Sequence, residues 1–185
     1  MKLFVLLSRV PYPLDKGDKL RAYHQLRYLK EHFELKVVAL DDSNTAEEHI
    51  QHLKSEFDIE IIPLGKGMIY WNLFTALFGS KPFQVRYFYQ GGAHRRIRKM
   101  IEEFAPDHIY AQLIRTAEYV KNIHDIPKTL DYMDAFSKGM NRRVEETGFI
   151  KKTFVKAEAS RLLKYENLIY DYFENKTIIS QQDRD

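Results

Sequence analysis

Short apolar runs alternate with longer stretches of helical spacing along almost the whole chain, and this alternation restricts the fold more than any other feature. Residues 3–7, LFVLL, form an uninterrupted apolar run of the kind expected for a strand buried on both faces. After the loop VPYPLDKGDK, Leu20, Tyr23, Leu26, Leu29 and Phe33 recur at three- and four-residue intervals, which predicts an amphipathic helix ending near His32. LKVVAL at 35–40 reads as a second strand, 44–56 as a polar helix with Asn44 and Glu47 at a capping-box spacing, and IEIIPL at 59–64 as a third strand. Further on, a basic helix is predicted over about 93–104, with Ile97, Met100, Ile101 and Phe104 on its apolar side. DHIYAQ (107–112) and KTLDYM (128–133) read as strands around a helix over about 114–123. A long helix is predicted over 152–173, buried through Val155, Leu162, Leu168 or Ile169, and Phe173, and KTIIS (176–180) reads as a last strand.

Strand–helix–strand alternation with short loops predicts an α/β fold: a Rossmann-like three-layer sandwich with a mostly parallel sheet, built as one domain over residues 1–185. In such sheets ligands sit at the carboxyl ends of the strands, so functional residues are expected after Leu7, Ala39, Ile62, Ala111 and Tyr132. An apolar content of 44% is enough to build a core and argues against disorder. The absence of cysteine excludes disulfides, thiolate zinc sites, iron–sulfur clusters and a cysteine nucleophile. The seven histidines show no H-x-x-x-H spacing, so zinc has no support. A net charge of +3 is too small to point to nucleic acid.

The amino terminus lacks the pattern of a signal peptide, since LFVLL is short and no small-residue cleavage site follows it. The richest apolar segment, residues 68–79, is interrupted by Asn72 and Thr75 and falls short of the ~18 residues of a membrane span. A cytoplasmic protein is expected, with peripheral contact at the inner face of the membrane left open.

The loop after the first strand carries the most chemistry. Gly17 permits a close backbone approach, Asp15 or Asp18 can cap the next helix, and Lys16, Lys19 and Arg21 favour an anion held at the helix start. Neither G-x-G-x-x-G nor a Walker loop is present, and the same residues also suit an ordinary capped loop with solvated lysines. LDYMDAFS (130–137) sets Asp131 and Asp134 three apart at the end of the fifth strand. There they can accept hydrogen bonds from sugar hydroxyls, or Asp134 can cap the following helix. No third ligand for a metal lies close by. His94, Arg95, Arg96, Arg98 and Lys99 suit a phosphate or an anionic membrane, though a solvated helix face is the expectation. No G-x-S-x-G motif occurs. Residues 66–90 hold most of the aromatic excess, with helix-like spacing split by Gly79 and Pro82. They form either a lid packed on the core or an exposed surface for lipid or a hydrophobic acceptor. Packing is the expectation, because aromatic side chains serve it first.

Taken in order, several segments resemble one family. LFVLLSRVPYPLDKGDKLRAYHQLRYL, GSKPFQVRYFY (79–89), PDHIYAQ (106–112), DYMDAFS (131–137) and KYENLIYDYFENKTIISQQD (164–183) are similar to the family 4-like glycosyltransferases of the GT-B fold, including sugar transferases of exopolysaccharide operons. The resemblance implies the amino-terminal, acceptor-side half of a two-domain enzyme, with the donor-binding domain and its E-x-seven-E signature lying beyond Asp185. It implies that the parent moves a hexose from a nucleotide sugar to a lipid-linked or polysaccharide acceptor in surface polysaccharide biosynthesis, retains anomeric configuration and needs no metal or cofactor. The isolated domain is then inactive.

By the same resemblance, Gly17, Asp18, Lys19 and Arg21 would approach the donor diphosphate or the acceptor. The loops bearing Gln112, Asp131 and Ser137 would face the transferred sugar. Where some relatives carry histidines, this chain has Tyr110 and Gln112 in the first loop and Met133 and Asp134 in the second, which leaves Asp134 as the candidate catalytic side chain. The competing class is a stand-alone Rossmann-like binding domain without catalysis. A nucleic-acid module using Arg95, Arg96 and Arg98 is a third class and is not expected.

Overall fold

Six parallel strands form one open sheet: β1 (Lys2–Leu7), β2 (Glu34–Asp41), β3 (Ile59–Pro63), β4 (His108–Gln112), β5 (Lys128–Met133) and β6 (Asn175–Ile178). Their spatial order is β3-β2-β1-β4-β5-β6, the doubly wound arrangement. The computed structural model describes residues 1–133 and 149–178. Seven helices are present among them: α1 (Gly17–Leu29), α2 (Glu47–Glu56), α3 (Lys66–Ala76), α4 (Phe83–Phe88), α5 (Gly91–Phe104), α6 (Ala117–Val120) and α7 (Phe149–Tyr170).

Every residue from Leu3 to Leu7 is buried, because side chains alternate across the sheet and both faces are covered. Leu3, Val5, Leu7, Val37 and Ala39 pack under Ala22, Tyr23 and Leu26 of α1 and Leu53 of α2. Phe4, Leu6, Val38, Leu40, Ile109 and Leu130 face the other layer, where Val85, Ile97, Ile101, Leu162 and Ile169 close the core. The Rossmann-like three-layer sandwich is therefore the fold observed. At the Leu168 or Ile169 alternative, Ile169 is the buried residue and Leu168 is exposed.

Several local expectations are corrected. The helix expected over 114–123 is a 3-10 turn, Ile114–Thr116, followed by the short α6. Thr116 Oγ1 donates to the carbonyls of Gln112 and Leu113, tightening this turn at the expense of regular helix. Asn44 does not cap α2; it adopts a left-handed conformation, φ 55°. Asp41 organises that turn instead, accepting from the Ser43 and Thr45 amides and from both hydroxyls. Neither Asp15 nor Asp18 stands at the N-cap of α1, which is Lys16 and makes no side-chain cap, although Asp18 Oδ1 accepts from the first-turn Lys19 amide at 3.1 Å.

The split at Gly79 and Pro82 is real and separates α3 from α4. Packing holds for only part of the aromatic stretch, since α3 buries just Ile69, Asn72 and Ala76. Tyr70, Trp71, Phe74, Leu77 and Phe78 are all exposed. The short α4 is capped from a distance: Glu158 of α7 accepts a 2.7 Å bond from the Phe83 amide. No described helix is long and apolar enough to cross a membrane.

Candidate functional site

The strand order reverses beside β1, so the loops leaving β1 and β4 run to opposite faces of the sheet and open a crevice at their carboxyl ends. Polar side chains collect there. Asp131, near the end of β5, has no exposed surface, and Arg21 reaches it from α1 with Nη2 2.9 Å from Oδ2. On the next strand, the Tyr110 hydroxyl donates to the same oxygen at 2.5 Å, and Gln25 of α1 donates to the Tyr110 oxygen at 3.3 Å. The Met133 amide takes the other carboxylate oxygen at 3.0 Å. Burial first, then the charge of Asp131, pushes the Tyr110 phenol well above its ordinary range, so it stays a neutral donor.

Gln112 sits beside Asp131 in the β4–β5 register and is buried. Its Nε2 and the Nη1 of Arg21 are buried donors with no hydrogen-bond partner among the described residues. Buried donors of this kind are costly unless something accepts from them.

A second group stands at the same edge. Arg9, two residues past β1, pairs with Asp18 at 3.2 Å. Arg9 and Arg115 both lie over the Phe88 ring, their guanidinium carbons 5.9 and 5.0 Å from its centre. Arg115 also donates twice to Gln84 Oε1, at 3.1 and 2.9 Å. Burial, and next the positive charge of Arg9, pull Arg115 down to about 10, which still leaves it protonated at neutral pH.

The backbone is strained at two neighbouring strand ends. Leu113 has φ 67° and ψ 150°, a region nearly reserved for glycine, and Met133 has φ 58°. Such conformations cost on the order of 1–3 kcal/mol each and persist only where the surroundings hold them. Here Asp131 does the holding: its carbonyl accepts from the Leu113 amide at 2.7 Å, and its carboxylate accepts from Met133.

Of the residues expected from sequence, Arg21, Gln112 and Asp131 come together. Asp18 turns to Arg9, and Lys19 pairs with Asp15 at 3.0 Å. Gly17 opens α1, and a Cβ there would meet nothing within 4 Å, so the space beside it is open. Asp134 and Ser137 lie outside the described residues. Sequence reasoning missed Arg9 and Arg115, although each falls just after a strand end already marked as a place for functional groups. Tyr110 lies in the strand expected over 107–112, not in the loop where the resemblance put it, and its bond to Asp131 was not foreseen.

Among the described residues no group of three or more His, Asp or Glu is arranged to hold a metal. On the basic helix, Arg98 pairs with Glu102 and Lys99 with Glu103, and Arg96 is bonded to Glu60. Two open clefts lie apart from the Arg21–Asp131 cluster. One, about 510 Å³, is flanked by Lys36, Asp41, Glu60 and Arg96; the other, about 330 Å³, by Arg98, Ile101, Pro106 and Asp125. No protein-family model matches the sequence, and no curated protein is significantly similar to it.

The arrangement is rich in donors. Three guanidinium groups and a buried amide suit oxygen acceptors, above all anionic ones. The one carboxylate at its centre is held by Arg21, Tyr110 and Met133, which gives Asp131 a positioning role.

Proposed function

We propose that the chain is the acceptor-side domain of a GT-B glycosyltransferase that moves a hexose from a nucleotide sugar to a lipid-linked or glycan acceptor in surface polysaccharide biosynthesis. The observation that supports this reading is that Arg21 and Gln112, at the carboxyl ends of the strands beside the topological switch, each hold a buried donor that no described residue satisfies. A diphosphate or a sugar hydroxyl supplies the acceptors these groups lack. In transfer, the bond from the anomeric carbon to the diphosphate oxygen breaks as the acceptor oxygen bonds that carbon. Negative charge grows on the leaving nucleoside diphosphate, where guanidinium groups and helix amides stabilise it. The acceptor proton passes to Asp134 in this scheme. The resemblance assigns most donor contacts to a second domain, so this chain alone binds without turning over.

The second reading, a Rossmann-like binding domain without chemistry, draws on Asp131, whose carboxylate is engaged by Arg21, Tyr110 and Met133 in holding the strand ends together. Amide-resolved NMR titration with UDP- and GDP-hexoses, a short-chain polyprenyl phosphate and oligosaccharides separates these outcomes. Shifts at residues 8–18 and 112–116 that weaken about tenfold in Arg21→Gln support the crevice as the site. Absence of shifts with every one of these ligands overturns the transferase. Binding retained, with no transfer from a polypeptide extended by a donor-binding domain, favours the second reading.

A further inference from the structure

We propose that α3 and the turn after it lay this protein on a bilayer that carries anionic lipid. A helix covering a sheet normally turns an apolar stripe inward and a polar face outward. On α3 the inward positions are Ile69, Asn72 and Ala76, whereas the outward ones are Tyr70, Trp71 and Phe74, continued by Leu77 and Phe78 in the turn. Trp71 is 61% and Phe78 81% exposed. The rings form one run, with Trp71 6.1 Å from Phe74 and Phe74 5.7 Å from Phe78. Eleven residues span only about 16 Å, far short of the bilayer core, so such a helix lies in the interface rather than crossing it. Tyrosine and tryptophan suit that depth, having an apolar body and one polar atom.

Charge selects the occupant. From residue 61 to residue 101 the chain has no Asp or Glu and seven Lys or Arg: Lys66, Lys81, Arg86, Arg95, Arg96, Arg98 and Lys99. Gln90, at the head of α5, holds both backbone groups of Gly65, so α3 and the basic helix start side by side. Lys81 is neutralised by Glu118 and Arg96 by Glu60, but Lys66 and Arg95 are exposed at this shared end. A second copy would bring the same positive segment against itself, whereas anionic headgroups complement it. The inference rests on the proposed transferase only in that a lipid-linked acceptor is met at a membrane; the surface argument stands by itself.

Trp71 is the only tryptophan in the chain, so it reports directly on its own burial. Its emission is to be followed as the protein is titrated with phosphatidylcholine vesicles, with and without phosphatidylglycerol, and with brominated acyl chains. We expect a blue shift and bromine quenching on anionic vesicles, weakened by salt, and a fall of about tenfold in partitioning for Phe74→Ser/Phe78→Ser. Both side chains are exposed, so the variant should keep the parent's thermal midpoint and circular dichroism. An unshifted, unquenched Trp71 on anionic vesicles overturns the proposal. So does a concentration-dependent dimer that Phe74→Ser/Phe78→Ser dissolves, which gives the face to a second copy. The vesicles contain no sugar acceptor, so failure here leaves the crevice reading standing, and vesicle binding survives failure of the nucleotide titration.

Discussion

Arg21 on α1 and Asp131 on β5 are 110 residues apart in sequence, yet their side chains meet at 2.9 Å, and the carboxylate has no exposed surface. The pair ties the helix after the first strand to the fifth strand across the crevice. Removing one member leaves the other partly or wholly buried without its counter-charge. Asp131→Ala should lower stability by about 2–4 kcal/mol, since Tyr110 and the Met133 amide also lose their acceptor. With Arg21→Gln as the partner mutation, urea unfolding should give a coupling energy above about 1 kcal/mol. Strict additivity would show that the contact contributes nothing.

Glu118 sets an acid limit. Burial drives its carboxyl up, but hydrogen bonds from Lys81 and Lys121 outweigh this and hold it below its ordinary value near 4.5. A depressed value means that its contribution is complete above about pH 4.5 and is lost as pH falls through the lower folded value. Glu118→Gln should therefore unfold more easily at pH 7 and show a flatter loss of stability on acidification. An unchanged acid slope in urea melts would remove Glu118 from this role.

Glu158 slopes the other way. Burial raises its carboxyl above the ordinary value, in spite of the bond from the Phe83 amide. Its protonated form is favoured in the fold, so it contributes stability below about pH 4.5 that is lost as pH rises through the raised folded value. Glu158→Gln should remove that rising-pH loss. The check is the difference between parent and variant unfolding energies across mildly acid pH, which should narrow as pH falls; a difference that does not change with pH would remove Glu158 from this role.

Ala105 ends α5 in the left-handed conformation, φ 48° and ψ 65°, and is exposed. Glycine takes this helix-ending position without the Cβ penalty, so Ala105→Gly should stabilise by about 0.5–1 kcal/mol in chemical denaturation. A destabilised variant would mean that the gain in unfolded-chain entropy dominates.

The Tyr119 hydroxyl donates to the Phe88 carbonyl at 2.6 Å and accepts from the Gln90 amide at 3.0 Å, closing the link between α4 and α5. Tyr119→Phe keeps the ring but strands both backbone groups, at a cost of about 1–3 kcal/mol. Thermal unfolding checks it, and a midpoint equal to the parent's would show that water replaces the hydroxyl.

Much of the fold was legible because it rests on local patterns. The run from Leu3 to Leu7, the Ile97–Met100–Ile101 spacing and the break at Gly79 and Pro82 each lead to the element observed. The site was legible in position more than in wiring. Strand ends located Arg21, Gln112 and Asp131, but the bonds among Arg21, Gln25, Tyr110 and Asp131 join three separate elements, and spacing along the chain does not carry such contacts. The sharing of Phe88 between Arg9 and Arg115 was invisible for the same reason. Capping failed as a guide because the aspartates after the first strand pair with Arg9 and Lys19, and Asp41 organises a turn that Asn44 was expected to begin.

Asp131 holds the Leu113 amide with its carbonyl and the Met133 amide with its carboxylate, so two strained strand ends depend on one residue. The ends of β4 and β5 are thereby mechanically in series: a pull on either is transmitted through Asp131 to the other, and onward through Arg21 to α1.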